Sequence, residues 1–383
     1  MFGYAGTGSV IKDLRVSGSI YGTQRTGSIA GYTDGTIIGC VVSSKVTPAG
    51  GVDYHGGIAG YAGVNSIISN CTASGTVEGQ NNVGGIVGYT EGKITACNSN
   101  NAVTGVSKVG GIAGYAAGTG AEISDCEFSG TAYGNSECIG GIAGKTEGLI
   151  TGCYVNATIE GSSGTVGGVA GEATGAFSTI SNCTISGTVK AIGGYGYVGG
   201  VAGKADGKIT GCTCECSVTG NGQHYVGGIV GSAGTDSEVS NSSSSGNIAG
   251  INKVGGIAGY TDGEIKICIN TGNVNGSSGH TGGVAGETGN NSSVSNSFNS
   301  GAIYGGGQGS TGGIVGHVSS GSIVHHNLNK GTIDGANPKG SVIGNAIDED
   351  NAWNNYYYDY EGAPGAQTAV TSWMMMVPFL LVT

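Results

Sequence analysis

Charge is scarce in this chain: only 10% of its 383 residues are Asp, Glu, Lys or Arg, roughly half the usual share. Little stability can come from surface ion pairs, so backbone ladders and packing must hold the fold. Arginine stops at Arg25, the lysines are scattered singly, and the formal charge is −11. No basic stripe results, and nucleic acid is excluded as the expected partner. Proline occurs four times, which excludes collagen and argues against a Pro/Gly linker. No apolar run is long enough to span a bilayer. No helix-length amphipathic period occurs, and no His-Glu-x-x-His, Gly-x-Ser-x-Gly elbow or P-loop stands out. At this glycine content, Gly-rich matches to nucleotide-binding fingerprints carry no weight. No secretory leader opens the chain. Phe2-Gly3-Tyr4-Ala5-Gly6 instead reads as the middle of a repeat unit, so a piece of a longer protein is expected.

Glycine is abundant, at 83 residues, beside an ordinary 38% of hydrophobic residues that can bury a core. The glycines fall in order. The phrase Gly-Gly-Ile/Val-Ala/Val-Gly stands at Gly56-Gly57 and Gly84-Gly85, and recurs through Gly312-Gly313. Degenerate copies at Gly27-Ser28 and Gly340-Ser341 flank the series. The spacing gives about twelve copies of a ~28-residue unit. Two classes alternate. One follows the phrase with a tight acidic turn (Asp34, Glu91, Glu147, Asp206, Asp262), the other with a longer connection such as 62–66.

Each unit reads as three short extended segments: the Gly-Gly phrase, an Ile-Thr-like triplet such as Lys208-Ile209-Thr210, and an alternating run that begins near a cysteine. In the last, Cys183, Ile185, Gly187 and Val189 share one side. Period two with β-branched residues predicts strands with one buried face. Three strands cannot bury that face alone, whereas coils stacked about 4.8 Å apart can. The prediction is an all-β, single-stranded β-solenoid over residues 1–346, with 347–383 as a C-terminal cap or the start of a following region. That last segment holds both tryptophans, Trp353 and Trp373.

The phrases Val83-Gly84-Gly85-Ile86-Val87-Gly88-Tyr89 and Val254-Gly255-Gly256-Ile257-Ala258-Gly259-Tyr260, each followed by Gly-x-Ile-x-x-Cys (Gly92 to Cys97, Gly263 to Cys268), resemble the GLUG repeat family. That resemblance implies an extended module of a large secreted or surface-attached bacterial protein. Some such proteins are immunoglobulin-A-cleaving metallopeptidases in which the repeats are accessory to catalysis. Without the metallopeptidase motif, catalysis is not carried over. The expected role is a non-catalytic structural or adhesive rod at the cell surface or outside the cell. It needs no cofactor, carries no membrane span, is monomeric within a larger protein, and meets a host or cell-surface glycan or protein. A carbohydrate-binding or polysaccharide-acting β-helix is the alternative.

Three residue sets are candidates for chemistry. Tyr32, Tyr61, Tyr89 and Tyr115 follow the phrase in four successive coils, an expected solvent-facing row for sugar rings or a protein; a packing ladder is the other reading. Cys40, Cys71, Cys97, Cys126, Cys153, Cys183 and Cys212 occupy one position in seven coils and read as an inward column of reduced thiols. Cys212-x-Cys214-x-Cys216 puts three thiols on one strand face, where a soft metal is conceivable, but the second Cys pair typical of zinc sites is missing. The acidic turns recur too far apart, about 9–10 Å, for neighbouring carboxylates to share one ion.

Overall fold

The computed structural model describes residues 2–50, 53–335, 338–347 and 352–357. Among them there is no helix. All strands pair in parallel with the strand one coil before and one coil after, giving four long sheets along the axis of a β-solenoid of about twelve turns. The coil at residues 81–105 shows the plan: Asn81–Gly84 on a first face, Val87–Thr90 on a second, Lys93–Thr95 on a third, Asn98–Gly105 on a fourth. The second and third faces each hold 13 strands and the first holds 12. At about 4.8 Å per step the rod is roughly 55–60 Å long.

Each coil thus has four strands where the sequence reading counted three. The Gly-Gly phrase is two strands, bent at its second glycine. A Cβ on Gly85 would fall far inside contact distance of the Gly111 carbonyl oxygen in the next coil and of the Ser99 hydroxyl. Gly228 meets the Gly256 carbonyl and Ser244 in the same way. The bare backbone there forms the cradle into which the fourth face's inward side chain packs. At these bends glycine is required by close approach rather than by a left-handed φ.

A second bend, between faces three and four, does require positive φ. It is occupied by Asp13, Gly39, Asn70, Asp125, Gly152, Asn182 and their equivalents through Asn354, every one left-handed. Asn, Asp and Gly tolerate that region best. Ala96 (φ 51°) and Ile267 (φ 55°) occupy it without that tolerance.

Inside, Ile58, Ile86, Ile112, Ile142 and their successors lie fully buried in one continuous core with Ile94, Val103 and Phe128. In the C-terminal coils one inward column turns polar within an otherwise aliphatic core: Asn270, Asn299 and Asn329 stack in register. The amide of Asn270 donates to Asn299 Oδ1 at 2.7 Å, and that of Asn299 to Asn329 Oδ1 at 2.8 Å. Each also donates to a backbone carbonyl two residues on, Gly272 or Gly301. The ladder runs past residue 346: Ala352–Trp353 and Tyr356–Tyr357 pair with the preceding coil. The rest of the expected cap, 348–351 and 358–383, lies outside the described residues.

Candidate functional site

The bend from the first face to the second and the residues after it set the tyrosine row. In each coil the side chain one residue past the phrase's last glycine points outward, so register stacks Tyr4, Tyr32, Tyr61, Tyr89, Tyr115 and then Lys145, Glu172 and Lys204 in one column. Tyr4, Tyr32, Tyr61 and Tyr89 stack face to face, with centroids 5.2, 5.1 and 4.7 Å apart. Tyr115 turns edge-on to Tyr89. Tyr54 packs edge-on against Tyr61 and Tyr89, and the Arg25 guanidinium lies 4.9 Å from the Tyr61 centroid.

The row expected to face solvent is therefore half-buried. The faces of Tyr32, Tyr61 and Tyr89 are spent on stacked rings and Arg25, and Lys108 and Lys145 lie over Tyr115. The hydroxyls are also engaged. Tyr61 donates to Glu91 Oε2 at 3.1 Å, Tyr115 donates to Glu147, and Tyr260 donates to Asp262 Oδ1 at 2.7 Å. Burial, with these hydrogen bonds to carboxylates, pushes the Tyr61, Tyr115 and Tyr260 hydroxyls above the usual phenol range.

Two of the acidic turns acquire a role in joining the two repeat classes. Asp34, on a tight turn, accepts the backbone N–H of Asn65 and its side-chain amide, both at 3.1 Å, from the long connection of the next coil. Thr7, in the coil before, donates to it at 2.6 Å. Glu147 accepts the Gly118 N–H at 2.9 Å. At Asp34 and Glu147 a short acidic turn thus clamps a longer turn in a neighbouring coil. Hydrogen bonding from Thr7 and Asn65 holds the Asp34 carboxyl below its ordinary range, and that from Tyr115 does so for Glu147.

Cys40, Cys71, Cys97, Cys126, Cys153, Cys183 and Cys212 are all buried and free. Each thiol turns back to a carbonyl two residues earlier, as Cys71 does to Ser69 at 3.2 Å and Cys183 to Ser181 at 3.3 Å. The sulfur also meets the backbone of the coil before: Cys97 N–H points at Cys126 Sγ, 3.5 Å away. Where the column changes to Ser242, Ser297 and Asn327, oxygen takes that bond from Cys212, Cys268 and Ser297 N–H at 3.2, 3.2 and 2.9 Å. The column is a coil-to-coil fastener that needs a small hydrogen-bonding side chain. Burial raises the Cys268 thiol to about 12, which suppresses the reactive thiolate.

Cys212 belongs to this column, while Cys214, at the end of the strand Thr213–Cys214, and Cys216, in the bend before the strand Ser217–Gly220, form a disulfide with Cα–Cα 5.2 Å. The single strand face expected to carry Cys212, Cys214 and Cys216 is therefore interrupted: a bend separates Cys214 from Cys216, and both side chains are buried there. Among the described residues no three His, Cys, Asp or Glu side chains group as a metal site. His325 ends the strand Ile323–His325, stacked 5.1 Å from Trp353, and His326 occupies the bend that follows.

Sequence reasoning missed two features. One is the asparagine stack, which reads in sequence as breaks in an aliphatic stripe; its signal was the fixed Asn-x-Gly recurring once per coil. The other is His55, wholly buried with neither ring nitrogen bonded. It occupies a position filled by Val83 in the next coil.

The GLUG motif matches residues 54–78, 162–190 and 222–249. No curated protein matches. Among solved structures, a candidate immunoglobulin A1 protease from Bacteroides ovatus aligns at 17% identity over 70% of this chain and 78% of that one, with a TM-score of 0.40.

Proposed function

From a chain that carries GLUG motifs on a parallel β-solenoid, we propose a non-catalytic structural rod, acting as stalk or adhesive surface of a secreted or surface-attached protein. The observation that carries this reading is the repeated ladder, in which the described strands of four faces pair in register from coil to coil between Phe2 and Tyr357. Five of the carboxylates that a polysaccharide-cleaving helix could use as acid or base are engaged in holding the coils. Asp34 and Glu147 clamp turns, Glu91 and Asp262 hold tyrosines, and Glu287 pairs with Lys253 at 2.9 Å. No helix among the described residues is long and apolar enough to cross a membrane.

A glycan-binding form of the same reading is favoured by Tyr133 and Tyr154 on the fourth face, which are 37% and 41% exposed. They stand beside columns of Ser, Thr and Asn such as Thr158, Ser186 and Thr188, and offer the rings that the stacked row does not. The test is a binding screen of the purified 1–383 chain against glycans and host proteins, with polysaccharide cleavage measured in parallel. Saturable binding without cleavage is expected, weakened by Tyr154→Ala if the ligand is a glycan. Cleavage by the purified chain would overturn the rod.

A further inference from the structure

The outward column at the start of the fourth face is polar in most of the rod, as at Thr72, Asn98, Thr184, Thr213 and Ser243. In the last four coils it becomes Ile269, Phe298, Leu328 and Tyr356, stacked in register. Ile269 and Tyr356 are 45% and 46% exposed, and Phe298 and Leu328 are half-buried. Trp353, 38% exposed, stands across the adjacent bend. Single exposed apolar residues are ordinary, but a contiguous column of them marks a surface that something covers.

We propose that the occupant is the chain's own apolar segment, residues 373–381, Trp-Met-Met-Met-Val-Pro-Phe-Leu-Leu. The stripe is confined to the coils from which the chain runs on. Tyr356, its last member, immediately precedes the final residues. From Tyr356 back to Ile269 is three coil steps, about 14 Å, and residues 358–372 could reach up to ~50 Å if extended. This run is the longest apolar stretch in a chain otherwise broken by glycine and serine. A tethered segment meets the stripe at a high effective concentration that a separate partner lacks.

The test uses the full chain with Trp353→Phe, which leaves Trp373 as the single tryptophan. A blue-shifted emission, weakly quenched by acrylamide and unchanged on dilution, is expected. Adding Ile269→Thr, Phe298→Ser and Leu328→Asn puts into the stripe the residue types found higher in the same column. It should red-shift Trp373 and raise its quenching several-fold, while the circular-dichroism midpoint of the solenoid stays in place. Four results overturn the proposal. They are a Trp373 as quenchable as free tryptophan, protection that survives the triple substitution (a seat on the rod's end), protection lost on dilution (a second copy), and protection seen only with lipid vesicles.

Discussion

At Ala96 the backbone sits at φ 51°, a region that costs an L-residue with a Cβ about 1–2 kcal/mol. Its equivalents are mostly Asn, Asp or Gly. Ala96→Gly should therefore raise stability by up to about 1 kcal/mol, read as a higher thermal midpoint, and an unchanged or lower midpoint would refute the strain. Gly228 poses the opposite problem. Gly228→Ala drives a methyl into the Gly256 carbonyl and the Ser244 side chain and should cost about 1–3 kcal/mol or more. Gly120→Ala, with nothing near its Cβ and no positive φ, is the neutral control. His55 adds a pH term. Burial favours its neutral form and lowers its pKa from 6.5, so the unfolded chain binds the proton first. Stability is then complete above pH 6.5 and is lost as pH falls from there through the folded pKa. A thermal midpoint that declines between pH 7 and 5, and does so less in His55→Val, is the expected outcome. The carboxylates of Asp34 and Glu147, lowered from 3.8 and 4.5, act only in the more acidic range.

Among the elements, the asparagine stack has an open end. Asn270 Oδ1 and Ser244 Oγ, one coil apart in the same column, are buried without partners. Ser244→Asn would supply the missing Nδ2 donor to Asn270 and extend the stack by one rung, a gain of about 0.5–1.5 kcal/mol. Asn299→Ala, which leaves partners on both sides unmatched, should cost about 1–3 kcal/mol. Denaturant midpoints of the two variants, moving in opposite directions, check the assignment. How much of this was legible follows the same line. Period-two stripes such as Cys183–Val189 and the recurring Gly-Gly announced stacked strands, because an inward side chain and a bare bend are properties of single positions. The count of four strands was hidden because the phrase bends at Gly85 by contact with the next coil, a partner one period away. The tyrosine row was placed at the surface for a like reason: alternation says Tyr61 points outward, but only register reveals that Tyr32, Tyr89 and Arg25 cover its faces.

Across the whole molecule, each coil touches only its neighbours, so stability is a sum of coil terms and interface terms rather than one global quantity. Ion pairs contribute little to either. Most are partly exposed, such as Lys45–Glu78 and Lys208–Glu238, and exposed pairs are worth about 0–1 kcal/mol. The interfaces rest instead on backbone ladders, buried aliphatics and the thiol and amide columns, none of which salt screens. A central coil has two such interfaces and an end coil has one. Native-state hydrogen exchange should therefore show the slowest amides in the middle of the rod, near Ile142 to Val201, with protection falling stepwise toward Phe2 and Tyr357. The profile should barely change with ionic strength. Substituting Ser244→Asn should slow exchange in its own and adjoining coils while leaving the first coils untouched. Uniform protection along the rod, or a single shift of every amide on that substitution, would mean that the chain opens as one cooperative block. The additive picture of coils would then be wrong.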